Sequence, residues 1–209
     1  MKVCGSNCLS LFVIFSAVRS SVSLWDPDDH GSGGITDATP LPINAVCHMH
    51  PDAKSPLNVT GIITFNQTNE WAPLKINISL SGFKQFPPDT PDSELLHGLH
   101  IHHYGDVDNG CVTLSKGSHF NPLSMNHGDI ADTVRHIGDL GNIKQETDGT
   151  LHVVLYDSQA SLFGSISILG RGIVVHAARD DLGRGGNPGS IYNGNAGPRL
   201  ACCAIVVTP

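Results

Sequence analysis

The alternation of apolar and polar positions changes character near residue 45. From there onward the apolar residues fall in short runs, at 59–65, 74–80, 96–103, 151–156, 173–176 and 204–207. Several of these alternate apolar with polar, as a strand with one buried face does. Between them lie two long stretches without such a pattern, 104–135 and 177–201, the second rich in Gly and Asn. Loops of that length are usually functional. The pattern predicts an all-β domain over 46–209, an antiparallel β-sandwich or barrel carrying two large loops. Residues 24–45 read instead as a flexible acidic arm, because Asp26, Asp28, Asp29, Gly31, Gly33, Gly34, Pro40 and Pro42 break both helical and strand periods. No internal repeat, heptad or low-complexity tract is present. Gly183-Arg184-Gly185-Gly186 lacks the Lys-Ser/Thr ending of a phosphate loop.

Residues 1–23 have the form of a signal peptide. Lys2 gives a positive start, 9–18 is a short apolar run, and Ser20, Ser21 and Ser23 offer small residues for cleavage. The run is too short to span a bilayer as a helix, and no later stretch is long enough. Secretion is the expected localisation. It would remove Cys4 and Cys8, leaving four cysteines, Cys47, Cys111, Cys202 and Cys203, an even number suited to an oxidising compartment. Three glycosylation sequons, at Asn58, Asn66 and Asn77, crowd one stretch. The formal charge of −7 becomes −9 without Lys2 and Arg19, which argues against a nucleic-acid partner held by phosphate contacts.

Twelve histidines against only twelve Lys plus Arg put metal chemistry forward. In His100-Ile101-His102, the two imidazoles lie at i and i+2 and share one face of a strand, so both can reach one ion. His119, His127, His136 and Asp139 follow, and His176 closes an apolar run. Six histidines and one aspartate suffice for two metals. Imidazole suits both copper and zinc, and a mixed His/Asp set without thiolate suits tetrahedral zinc.

These residues sit in recognisable segments. Gly98-Leu99-His100-Ile101-His102-His103-Tyr104-Gly105-Asp106 resembles the first signature of the copper/zinc superoxide dismutases, and Gly194-Asn195-Ala196-Gly197-Pro198-Arg199-Leu200-Ala201-Cys202 the second. Gly117-Ser118-His119-Phe120-Asn121-Pro122 and 135–142 are similar to that family's zinc loop, and Val174-Val175-His176 with Asp180-Asp181-Leu182-Gly183 complete the likeness. It covers roughly 45–209, and the signal-like start resembles the family's extracellular branch.

The resemblance implies a Greek-key barrel of about eight strands and an enzyme that dismutates superoxide to oxygen and hydrogen peroxide. It implies copper held by His100, His102, His119 and His176, and zinc held by His119, His127, His136 and Asp139, with His119 as the bridge. Asp180 would link His100 to His127, and Arg199 would attract and orient the anion. It also pairs Cys111 with Cys202. Cys202 and Cys203 are adjacent, point to opposite faces of a strand and need different partners. Cys47 would then take Cys203, as in the extracellular branch, the alternative being two buried thiols. A homodimer is the family's usual state. No basic cluster follows Cys203, so heparin-type anchoring is not expected.

Three further expectations follow. A copper-storage or delivery module should carry an additional Cys-based motif, and none exists. The guidance segment 188–193 has no charge, so electrostatic steering, for which this family is a standing example, would rest on Arg199, Arg184 and the metals. His30, His48, His50, His97, His103 and His152 are left as surface or packing residues, with His48 and His50 able to hold stray metal.

Overall fold

The computed structural model describes residues 41–108 and 110–209, without the side chains of Thr113, Ser115 and Lys116. The signal-like segment and the arm as far as residue 40, with Cys4, Cys8 and His30, lie outside the described residues.

Nine strands form among the described residues: β1 Ile43–Pro51, β2 Thr60–Gln67, β3 Leu74–Ser81, β4 Leu96–His102, β5 Asp139–Lys144, β6 Thr150–Asp157, β7 Gly172–His176, β8 Arg199–Ala204 and β9 Val206–Thr208. All pairings between them are antiparallel, in the order β5-β4-β7-β8-β1-β2-β3-β6, with β9 added beside β1. Because β5 and β6 also come alongside each other, eight strands make a nearly closed antiparallel barrel. Such closure removes free edges.

Four apolar runs became β2, β3, β6 and β7 within two residues at either end, and the run at 96–103 became β4, which stops at His102. Two strands were not anticipated. β1 starts at Ile43, inside the stretch read as arm, and its alternation is blurred because its outward positions include His48 and His50. β5 contains Gly141 at φ 74 and buries both faces at its start, so it shows no period of two. The last run, 204–207, covers only the end of β8 and the start of β9, and β8 begins at Arg199, inside the stretch 177–201 read as loop.

The core fills the barrel with Cys47, Ile63, Phe65, Ile76, Leu99, Ile101, Ile173, Val175 and Cys203 among others. A smaller cluster of Cys111, Leu114, Val174 and Cys202 lies under the first long loop. Alternation along β4, β7 and β8 explains the division. Leu99, Ile101, Ile173, Val175 and Cys203 point into the barrel, while His100, His102, Val174 and Cys202 point outward beneath the loops. Both disulfides follow, Cys47–Cys203 inside the barrel and Cys111–Cys202 outside it. The thiol alternative for Cys47 and Cys203 is therefore excluded. Among the described residues no helix is long and apolar enough to cross a membrane.

Candidate metal centre

β4 delivers His100 and His102 to one outward face, and β7 ends on His176. A register shift between Val175 and His176 opposite β8 releases that last side chain from the ladder, as bulges do. The loop between β4 and β5 adds His119, His127 and His136, and β5 opens with Asp139. Asp180 comes from the loop between β7 and β8. Every one of these side chains is buried. Donor atoms of His100, His119, His127 and Asp139 lie within 4.8 Å of one another.

Two arrangements interlock. In the first, the Asp139 carboxylate gathers three imidazoles by their Nδ1 atoms: His119 at 2.8 Å, His127 at 3.0 Å and His136 at 3.1 Å. His136 Nδ1 is also 3.4 Å from His119 Nδ1. Ligands about 2.0 Å from a tetrahedral zinc stand roughly 3.3 Å apart, so four donors already sit near the spacing of such a shell. In the second, His100 Nδ1, His102 Nε2 and His176 Nε2 are buried without any partner. The other nitrogen of each ring is engaged, with Asp180 Oδ2 at 2.7 Å, the Gly117 carbonyl at 3.1 Å and the Gly197 carbonyl at 2.9 Å. Those contacts place the ring protons and leave the lone pair of the other nitrogen free of any partner. Three orphaned nitrogens in a buried site are costly unless a cation takes them.

His119 joins the sets. Its ring stacks on His100 with centroids 3.9 Å apart and lies 5.3 Å from His102 and His127 and 5.4 Å from His136. Asp180 joins them a second time, accepting from His100 and from His127 Nε2 at 2.8 and 3.0 Å. The Leu182 N–H donates to Asp180 Oδ1 at 2.7 Å, and the Asn142 side chain holds the Asp180 backbone at both ends. Gly194, at φ 68, is required here because a Cβ would overlap the Asp180 carboxylate and His127 Nε2.

Protonation differs between the sets. Burial pushes His102 down to about 3 and His176 down to about 4, with the neighbouring imidazoles adding to the effect. His100 and His119 are lowered for the same first reason. Burial also opposes charge on His127, but its interactions with the accepting carboxylates of Asp139 and Asp180 outweigh it and raise that imidazole to about 9. The Asp139 carboxyl, although buried, is held far below the usual carboxylate range by its three histidines.

Beside this cluster a cavity of about 200 Å³ is lined by His102, His119, His176, Tyr192, Asn193 and Arg199. Arg199 Nε is buried and unpartnered. Burial lowers its pKa, against the nearby Asp52 charge, but a guanidinium stays a cation.

Matching to family models agrees with this chemistry. Residues 59–205 fit the model of copper/zinc superoxide dismutase. The chain belongs to that family. It is 47% identical over 150 residues to a superoxide dismutase [Cu-Zn] of Candida glabrata, covering 72% of this chain and 91% of the relative. It is 46% identical over 167 residues to one from Onchocerca volvulus, covering 78% and 96%, and 41% identical over 166 to one from Saccharomyces cerevisiae, covering 79% and 99%. The chain is a superoxide dismutase whose cofactors are copper and zinc.

The structure brings together all eight histidine and aspartate side chains named from the sequence, with Arg199 at the cavity wall. It removes Arg184 from the steering set, because that side chain is exposed and paired with Asp132 at 3.2 Å. The uncharged guidance segment is a short helix, α1 Pro188–Asn193, capped by Asn187 and stopped by Gly194. The Asn-Pro pair was its signal, Asn as cap and Pro at the first helical position. His97, read as a surface or packing residue, does pack, but its contact with His176 was not foreseen. It is buried, and its Nδ1 lies 2.9 Å from the His176 carbonyl and its Nε2 2.8 Å from Gln145 Oε1. Spacing excluded it, since it shares a strand face with Leu99 and Ile101 rather than with His100.

Proposed function

We propose that the chain is a secreted, glycosylated, homodimeric enzyme in which His100, His102, His119 and His176 hold copper. His119, His127, His136 and Asp139 hold zinc, and Arg199 receives the anion. The observation that carries this assignment is the set of three buried, unpartnered ring nitrogens on His100, His102 and His176, two of which line the cavity that Arg199 also lines. When bound, copper supplies one-electron redox chemistry and zinc a fixed charge without redox states.

The chain's own residues do the rest. Arg199 draws superoxide into the small cavity and donates a charge-assisted hydrogen bond to it. Gly117 and Gly197 carbonyls keep His102 and His176 in one tautomer, and Asp180 does so for His100 and His127. His119 has its Nδ1 committed to the Asp139 side, so its Nε2 is the atom placed to hold and release the proton that leaves with peroxide.

Secretion is supported by the signal-like segment and by the closure of all four remaining cysteines into disulfides. A second copy is supported by exposed apolar residues Tyr104, Val206 and Val207, on segments that meet through the Tyr104–Gly172 and Ile205–Arg171 backbone bonds. The test is direct decay of superoxide by protein of known metal content. Activity proportional to copper and lost on its removal is the expected result. Fully loaded but inactive protein would leave copper binding or delivery as the function. Amino-terminal sequencing of protein from the culture medium tests cleavage near residue 23.

A further inference from the structure

Strands β1, β2, β3 and β6 contribute no side chain to the metal centre, yet their outer face has an unusual composition. The register aligns the outward side chains in three rows: His48, Ile62, Ser79 and His152; then Val46, Thr64, Asn77 and Val154; then Asn44, Asn66, Lys75 and Tyr156. Lys75 is the one acid or base apart from histidine in these rows. Ile62 is 37% exposed, Val154 49% and Tyr156 64%. In the middle of this face stands Asn77, a residue with poor strand propensity, cross-strand from Val154. Ser79 follows two residues later, so the sequon's asparagine and serine stand side by side on one outward face.

We propose that Asn77 carries an N-linked glycan, and that this glycan lies over Ile62, Val154 and Tyr156 as the cover of that face. The inference rests on the secretory reading. In the transfer, Asn77 Nδ2 bonds to C1 of a polyprenyl-pyrophosphate-linked oligosaccharide. The C1–O bond to pyrophosphate breaks, the polyprenyl pyrophosphate leaves, and Nδ2 loses one proton, with no redox change. The modification is compatible with the folded sheet. Asn77 Nδ2 donates one hydrogen bond, to Thr64 Oγ1 at 3.2 Å, and a glycosylated amide keeps one N–H for it. Sugar rings suit this surface better than a protein partner does. Their apolar faces stack on Tyr156 and the branched side chains, and their hydroxyls meet Thr64, Asn66 and Ser79. Left bare, a sheet face with exposed β-branched and aromatic side chains invites association.

The experiment is expression of the full chain in a secreting eukaryotic cell, with occupancy read by mass spectrometry after enzymatic release, which converts each occupied Asn to Asp. Asn58, on an exposed loop, is the internal reference. Occupancy at both Asn58 and Asn77 is expected. Asn58 occupied with Asn77 bare overturns the proposal and leaves secretion standing. All three sequons bare, with no protein in the medium, overturns both. For the cover itself, the folded protein is trimmed with an endoglycosidase and compared with Asn77→Gln and Ser79→Ala. Each should gain binding of an apolar dye and light scattering, with unchanged dismutation per copper. Trimmed protein that behaves like the untrimmed form refutes the cover.

Discussion

Replacing Cys47 and Cys203 together by alanine removes the inner bridge while keeping Cys111–Cys202. The cost follows from connectivity. Cys47 and Cys203 are 156 residues apart, but Cys202, next to Cys203, is already tied to Cys111. The path closed by the inner bridge therefore runs from Cys47 to Cys111 and across to Cys203, a loop of about 65 residues. Chain-entropy bookkeeping gives about 4 kcal/mol for a loop of that length. For a domain of this size that corresponds to roughly 8–16 °C in Tm, at about 2–4 °C per kcal/mol. The measurement is urea unfolding of metal-free protein under non-reducing conditions, because bound metal would add its own linkage. Both cysteines are buried in the main core, so alanine also loses some packing and the loss should not fall below the entropic figure. Coincident midpoints for variant and wild type would refute the reasoning, since the bridge would then be closing a loop the unfolded chain does not feel.

Asp180→Asn keeps the shape but weakens the acceptor shared by His100 and His127. Zinc affinity should fall about 10–100-fold in chelator competition, and a change under about twofold would count against the link. Zinc binding to metal-free protein should release a proton from His127, whose pKa is raised to about 9. Affinity should therefore rise close to tenfold per pH unit between about pH 6 and 8, read by calorimetry in buffers of different ionisation enthalpy; a flat profile refutes it. Arg199→Gln should lower kcat/KM about 10–100-fold at low salt with unchanged copper content. In the wild type, kcat/KM should decline only weakly with ionic strength, because Arg199 is the one cationic side chain among the described residues lining the cavity; a steep decline would show steering from elsewhere.

How much of this was legible depended on whether a residue acts through its own position. His100 and His102 were visible because the two-residue strand period puts them on one face, and Cys202 and Cys203 because the same period separates them. The strands with one clean buried face were visible for that reason too. β1 and β5 were not, since histidines in one and a buried, glycine-bent start in the other erase the alternation. His97 acts through the carbonyl of His176, Asn142 through the backbone of Asp180, and Gly194 through the space it leaves. No spacing rule encodes such contacts. The pairing of Arg184 with Asp132 likewise joins two loops whose approach is fixed only by the closed barrel.

The two halves of the centre are prepared for their metals in opposite ways. On the copper side, each of His100, His102 and His176 gives one ring nitrogen to a carboxylate or carbonyl, while burial keeps the rings neutral at physiological pH. Their remaining ring nitrogens are buried and unpartnered before any ion arrives, so copper need displace no proton. On the zinc side, Asp139 and Asp180 stand 3.0 and 2.8 Å from the two ring nitrogens of His127 and favour its protonated form. Zinc must evict the Nδ1 proton to take its position. Acid therefore competes with zinc well before it competes with copper. Asp180 touches both halves, so losing the proton balance at His127 reaches His100 through a single carboxylate.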